Sequence, residues 1–217
     1  LALGAEKMNI ADKARMFAAF DSGWDVETAE QNKATLLALG AGVEPPPGST
    51  SERPYSIFME VYAAFCRRHM RRFGTTQRQI AAVAAKNHAH SVHNPLAQFR
   101  DAMTVEQILT APPITYPLTL PMCSPISDGA AVALVCSEAG LKRLGSAGRA
   151  VRVLASVVLT GVEHDPDNHE QGIGYRAAQR AYERAGVGPE DIDVAEVHDA
   201  TAMGEILNAE ALMFVPL

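Results

Sequence analysis

The sequence predicts an α/β protein built in layers, and three observations carry that expectation. Apolar, β-branched runs without helical periodicity recur at 130–135, 149–163 and 194–197, the pattern of buried strands. Segments with apolar residues at helical spacing lie between and after them, at 175–186 and 200–212, and strands alternating with helices make a layered α/β arrangement. The alternation is interrupted by two adjacent long helices between 55 and 94, which read as an inserted helical subdomain.

Taken in order, "LALGAEKM" reads as the tail of a buried strand and "NIADKARMFAAF" as a helix with Ile10, Ala14, Phe17 and Ala18 on one side. A short apolar patch follows Thr28, and the Pro/Gly/Ser stretch 45–54 must be loop. "YSIFMEVYAAFCRRHMRRFG" places Ile57, Val61, Ala64, Phe65 and Met70 together and ends at Gly74, the usual C-cap type. Thr75-Thr76 cap the next helix, which Asn94-Pro95 closes. Thr104 caps a short helix stopped by Pro112-Pro113, and a Pro/Ser turn leads into the strand Ala130–Val135. A short helix "EAGLKRLG", the strand 149–163, a helix ending at the Gly186/Gly188-Pro189 turn, the strand "VAEV" and a last helix complete the chain. An apolar start without methionine and an end inside a helical pattern suggest a fragment of a longer protein.

With 217 residues the chain is long enough for one large domain or two small ones. A net charge of −6 argues against a general nucleic-acid surface, which needs a basic excess. The three cysteines are odd in number and lack paired spacing, which favours a reducing, cytoplasmic setting over a disulfide framework. No apolar run reaches the ~18 residues of a membrane span, and no secretory signal opens the chain.

Several clusters carry both a plain and a functional reading. The run Arg67–Arg72 is either a solvated helix face or an anion-facing edge. His88, His90 and His93 do not form a metal set, because His88 and His90 lie about 200° apart on a helix and no carboxylate or cysteine completes the group. "CSPISDGAAV" is either a tight turn into a core strand or a ligand-facing loop on which Ser124 or Ser127 donates to a substrate. His164, Asp165, Asp167, His169 and Glu170 crowd a loop that is either solvated or a substrate edge. His198-Asp199 has the best context, since open α/β sheets bind ligands where a strand hands over to a helix. Asp199 can serve as a helix cap; His198 can hold a water, donate to a developing oxyanion or move a proton near neutral pH.

The strings "LALGAEKM", "RRFGTTQRQIAAVAAKNHAHSVHNPLAQFR", "CSPISDGAAVALV" and "AYERAGVGPEDIDVAEVHDA" resemble successive landmarks of the thiolase superfamily, in its sterol-carrier-protein or lipid-transfer-protein branch. The resemblance implies a partial thiolase-like α/β/α/β/α fold with an inserted helical loop subdomain at about 45–115. Residues 1–145 would then end the first thiolase-like half and 146–217 begin the second. It implies a usually dimeric enzyme acting on acyl-CoA thioesters, with coenzyme A as a substrate and no permanently bound cofactor or metal. "VHDA" falls on a motif whose first residue helps hold an oxyanion-hole water, so His198 inherits a catalytic role. Ser124 falls on a turn that approaches the CoA pantetheine, and the arginine-rich helix end belongs to the subdomain that meets the nucleotide.

Two departures bear on the chemistry. Ala200-Thr201 stand where the nearest motif has Cys-Phe, and none of Cys66, Cys123 and Cys136 matches the family's catalytic cysteines. The resemblance therefore implies a thiolase-type acyltransferase on 3-oxoacyl-CoA, here incomplete. Its alternatives are a retro-aldolase on steroid- or β-hydroxyacyl-CoA, which would work with a small OB-fold/zinc-ribbon partner, and a non-catalytic acyl-CoA- or lipid-binding subunit.

Overall fold

Side-chain caps fix most helix starts. The computed structural model describes residues 1–145, 148 and 150–216. Helix α1 (Lys13–Asp21) begins where Asp12 accepts from the Arg15 backbone amide, and α2 (Ala29–Ala38) follows. The Ser56 hydroxyl accepts from the Phe58 amide at the start of α3 (Ile57–Phe73), which ends at Gly74 with φ 72°, a left-handed conformation that costs glycine nothing. Reciprocal capping boxes, Thr76 with Gln79 and Thr104 with Gln107, open α4 (Gln77–Ser91) and α5 (Val105–Leu109). Helix α4 stops at Ser91, before the Asn94-Pro95 boundary that the sequence suggests.

The described residues are mixed α/β, and they divide into two compact units. One unit holds residues 10–126 and 197–208. In it a short hairpin, β2 (Pro113–Thr115) with β3 (Leu118–Thr119), packs on the helices, and the Thr119 hydroxyl donates to the Ile108 carbonyl at 2.7 Å. Its core joins Ala63 and Cys66 of α3, Ile80, Ala81 and Ala84 of α4, Ile108 of α5, Leu118, Met122, and Ala202 and Met203. The last two open α8 (Ala202–Ala211), so the helix that follows His198-Asp199 is rooted in the helical core. Two arginines of the 67–72 run take part in this packing: Arg67 donates to the carbonyls of Tyr116 (2.7 Å) and Gly40 (3.4 Å), and Arg71 to that of Ala41.

The other unit holds residues 1–9, 127–196 and 209 onward. Strand β1 (Ala2–Lys7) pairs antiparallel with β4 (Asp128–Ala133), Ala2 opposite Ala133 and Lys7 opposite Asp128. Helices α6 (Glu138–Leu144) and α7 (Ile173–Ala185) follow, each ended by a glycine of positive φ. Tyr182 of α7 donates to the Leu212 carbonyl at 2.9 Å.

The strand expectations need correction here. Both strands of the ribbon are exposed throughout, so neither "LALGAEKM" nor Ala130–Val135 is a buried strand, and the second ends at Ala133. Residues 150–163 and 194–197 form no ladder, and Val151, Val158 and Val194 are exposed. A strand is buried only when neighbours pair with its edges and layers cover its faces. Among the described residues of this unit, a two-stranded ribbon supplies neither. The boundary expected at 145/146 and the expected strand start at Arg149 meet residues 146, 147 and 149, which lie outside the described residues.

Candidate functional site

A cavity of about 240 Å³ opens in the helical unit. Helix α4 supplies one wall with Ala84, Asn87, His88 and Ser91, a spacing of i, i+3, i+4 and i+7 that puts all four on one face. The segment 121–125 contributes Met122, Cys123 and Ser124, and Gln98, Phe99, Asp199 and Ala202 also line the cavity.

Backbone pairing holds the last two pieces together. Cys123 and Thr201 form an isolated antiparallel bridge, and the Ser124 amide donates to the Ala200 carbonyl at 3.0 Å. The Ser124 hydroxyl donates to the same carbonyl at 3.1 Å, so its proton is committed and its lone pairs remain to accept from a ligand. Ser127, the other serine of this turn, belongs to the other unit and is exposed.

The two members of the His-Asp pair part company. Asp199 is half-buried and lines the cavity, whereas His198 is exposed and absent from its lining. The His198 carbonyl accepts from Asn208 Nδ2 at 3.1 Å, which anchors the turn to α8. Gly204 permits this approach: a Cβ there would stand 3.2 Å from Asp199 Cα and 3.6 Å from the His198 carbonyl oxygen.

Asp199 sits in a polar network that its own neighbourhood in sequence does not announce. Asn87 Nδ2 donates to Asp199 Oδ2 at 3.2 Å and to Glu205 Oε2 at 2.9 Å, and Lys86 pairs with Glu205 at 2.7 Å. Burial raises the Asp199 pKa above the ordinary carboxylate value, and the charge of Glu205 adds to the rise; a hydrogen bond from its own backbone amide, Lys86 and His198 oppose it. His88 Nε2 donates to the Pro121 carbonyl at 3.3 Å, tying α4 to the opposite wall. Burial also pushes the Cys123 thiol up to about 12 and raises that of Cys66, so both stay protonated at neutral pH.

The remaining polar clusters stay apart from this cavity. Residues 163–170 belong to the other unit as an almost wholly exposed loop, where the Asp167 amide donates to Asp165 Oδ1 at 2.8 Å. Among the described residues no three His, Cys, Asp or Glu side chains gather closely enough to hold a metal ion. No helix among them is long and apolar enough to cross a membrane.

The fold and the cavity together define a class: a mixed α/β protein with a small, mostly apolar pocket, one carboxylate and a few fixed polar groups where a core helix begins. Comparison with known proteins narrows it. Residues 162–217 match the family described as "Thiolase C-terminal domain-like". The chain is 36% identical over 166 residues to sterol carrier protein 2 of Rattus norvegicus, covering 72% of the chain and 30% of that protein. It is 36% identical over 157 residues to benzoylsuccinyl-CoA thiolase subunit BbsB of Thauera aromatica, covering 71% and 40%. It is 38% identical over 159 residues to an acetyl-CoA acetyltransferase of Methanothermobacter thermautotrophicus, covering 73% and 42%. The chain belongs to the thiolase superfamily, in its sterol-carrier-protein-like branch. It spans between 30% and 42% of the length of these three relatives.

Proposed function

We propose that this chain forms the substrate-holding part of a thiolase-type acyltransferase acting on 3-oxoacyl-CoA, and that the cavity between α4, residues 121–125 and Asp199 receives the thioester. The observation that carries the reading is the junction of Ser124 with Ala200, which brings the 123–125 turn and the His198-Asp199 turn to one site. In this reading the Ser124 oxygen accepts from an amide of the pantetheine arm. His198, exposed beside Asp199 and outside the cavity lining, holds a water that bridges to the thioester carbonyl as negative charge develops there. The apolar wall of Ala84, Phe99, Met122 and Ala202 takes a short acyl chain. Neither Cys66 nor Cys123 serves as nucleophile, because burial keeps both thiols protonated. A nucleophile for acyl transfer comes from elsewhere in the assembled enzyme, which in this reading is a homodimer with coenzyme A as substrate.

One observation favours a second reading. The cavity carries a carboxylate, Asp199, and no ionised thiol. That suits aldol-type cleavage of a β-hydroxyacyl-CoA, which needs a base for the hydroxyl proton and no covalent intermediate. In that reading a small OB-fold/zinc-ribbon protein is the partner.

The test is to express the protein from its complete gene, incubate it with acetoacetyl-CoA and record the intact mass. An acyl-sized adduct that disappears when CoA is added supports acyl transfer. No adduct, together with cleavage of a β-hydroxyacyl-CoA, supports the second reading, and failure of both reactions contradicts both.

A further inference from the structure

Asn87 lies on α4, far in sequence from the turn it touches, and its placement explains a feature the proposed chemistry leaves over. A single amide group reaches two carboxylates, Asp199 Oδ2 at 3.2 Å and Glu205 Oε2 at 2.9 Å. The two are not equivalent. Glu205 has a full counter-charge in Lys86 at 2.7 Å, whereas Asp199, which lies on the cavity wall, has no lysine or arginine bonded to it among the described residues. Asp199 is also the one carboxylate among the residues that line this cavity.

We infer that Asn87 is a positioning residue that holds Asp199 as a hydrogen-bond acceptor in the cavity, for a ligand presenting a neutral donor, an amide N–H or a hydroxyl. The inference rests on the CoA-thioester reading for its ligand, since a pantetheine arm carries both kinds of donor. The chemistry is complementary to that of Ser124, whose hydroxyl proton is already given to Ala200. Together the two residues offer acceptors at the end where the 123–125 turn meets the 199–202 segment, against the apolar wall of Met122 and Ala202.

The acceptor is at its strongest, charge-assisted, while Asp199 is ionised. The charged and titratable groups around it come from each packed element: Tyr62 of α3, Lys86 and His88 of α4, Cys123 on the facing wall, His198 beside it and Glu205 of α8. Burial and Glu205 favour the protonated acid, whereas the Asp199 backbone amide, Lys86 and His198 favour the anion, and the Asn87 N–H adds to them. Removing the Asn87 amide takes one support from the anion, so the Asp199 midpoint moves to higher pH. The bound donor then loses a charge-assisted hydrogen bond over a wider acid range, a loss of about tenfold in affinity.

The experiment is a carbon-detected NMR titration of the Asp199 carboxyl in the whole chain, in the wild type, Asn87→Ala and Asn87→Ser. Binding of S-acetylpantetheine, a probe without phosphates, is followed across the same pH range, with Asp199→Asn included. Two variants at Asn87 guard against one failing to fold, which circular dichroism reads. The expected result is an Asp199 midpoint raised in both Asn87 variants, pantetheine binding that weakens about tenfold below each protein's own midpoint, and pH-independent, weak binding by Asp199→Asn. An Asp199 midpoint unmoved by either substitution overturns the inference, as does binding whose pH profile ignores that midpoint. If S-acetylpantetheine binds at no pH, the CoA-thioester reading fails; a raised midpoint in the Asn87 variants then still supports the positioning role.

Discussion

Substituting Gly204 by alanine sets two opposed effects against each other at the site. Alanine is favoured over glycine in a helix interior by about 1 kcal/mol, so a roomy position would be stabilised. Gly204 is buried, and its new Cβ would lie 3.2 Å from Asp199 Cα, 3.6 Å from the His198 carbonyl oxygen and 3.7 Å from the Asp199 carbonyl carbon. Carbon atoms pack comfortably at about 3.5–4.0 Å, and all three neighbours are backbone, which cannot swing aside as a side chain does. The turn is also pinned from both sides, by Asn208 to the His198 carbonyl at 3.1 Å and by Ser124 to the Ala200 carbonyl. Overpacking of this kind costs about 1–3 kcal/mol, so the steric cost outweighs the helix gain and Gly204→Ala is destabilised by about 1 kcal/mol net. Urea unfolding gives the free energy, and amide NMR spectra should show the signals of 197–201 displaced. A variant stabilised by ~1 kcal/mol with those signals unmoved would refute the close approach of α8 to the site.

Other substitutions read the core and the titrating groups. Ile80→Ala, at a fully buried position of the helical core, should lose about 2–5 kcal/mol in urea unfolding; a loss under ~1 kcal/mol would mean the core is not packed as described. The Thr201 hydroxyl is buried without a hydrogen-bond partner among the described residues, so Thr201→Val should be neutral or stabilising by about 1 kcal/mol, and a clear loss would reveal a partner outside them. At neutral pH iodoacetamide should label the exposed Cys136 quickly and Cys66 and Cys123 slowly, since burial protects and protonates both; rapid labelling of Cys123 in Cys136→Ser would contradict this. The Asp199 pKa is raised on folding, so its contribution to stability is present below the ordinary carboxylate pKa of ~3.9 and is lost as pH rises through the higher folded value. Asp199→Asn should therefore gain in thermal midpoint relative to wild type as pH climbs from about 4 to neutrality, and a gap that narrows instead would reverse the sign of the shift.

What the sequence discloses follows the range of the forces involved. The caps at Gly74, Thr76 and Thr104 are settled by residues within one helical turn and are where the sequence puts them. The strands expected at 149–163 and 194–197 depend on partners distant along the chain. Their apolar, β-branched composition reads the same with a partner or without one. At the site, the sequence draws attention to Ser124 and His198; Asp199, read there only as a helix cap, is the member of the pair that lines the cavity, while the His198 side chain stays outside the lining. Asn87 escapes because the histidines around it suggest a metal question. The usable signal was the spacing of Ala84, Asn87, His88 and Ser91, which shares one helix face, but nothing in α4 says that this face meets residues 112 positions away.

The central claim is that the cavity of the helical unit receives a CoA thioester, and chemical-shift mapping with acetoacetyl-CoA tests it most directly. The account predicts saturable shifts confined to 84–91, 98–99, 121–125 and 199–202, and their loss in a variant with the cavity filled by Ser91→Phe. Saturable shifts that lie elsewhere, or that survive Ser91→Phe unchanged, would contradict it.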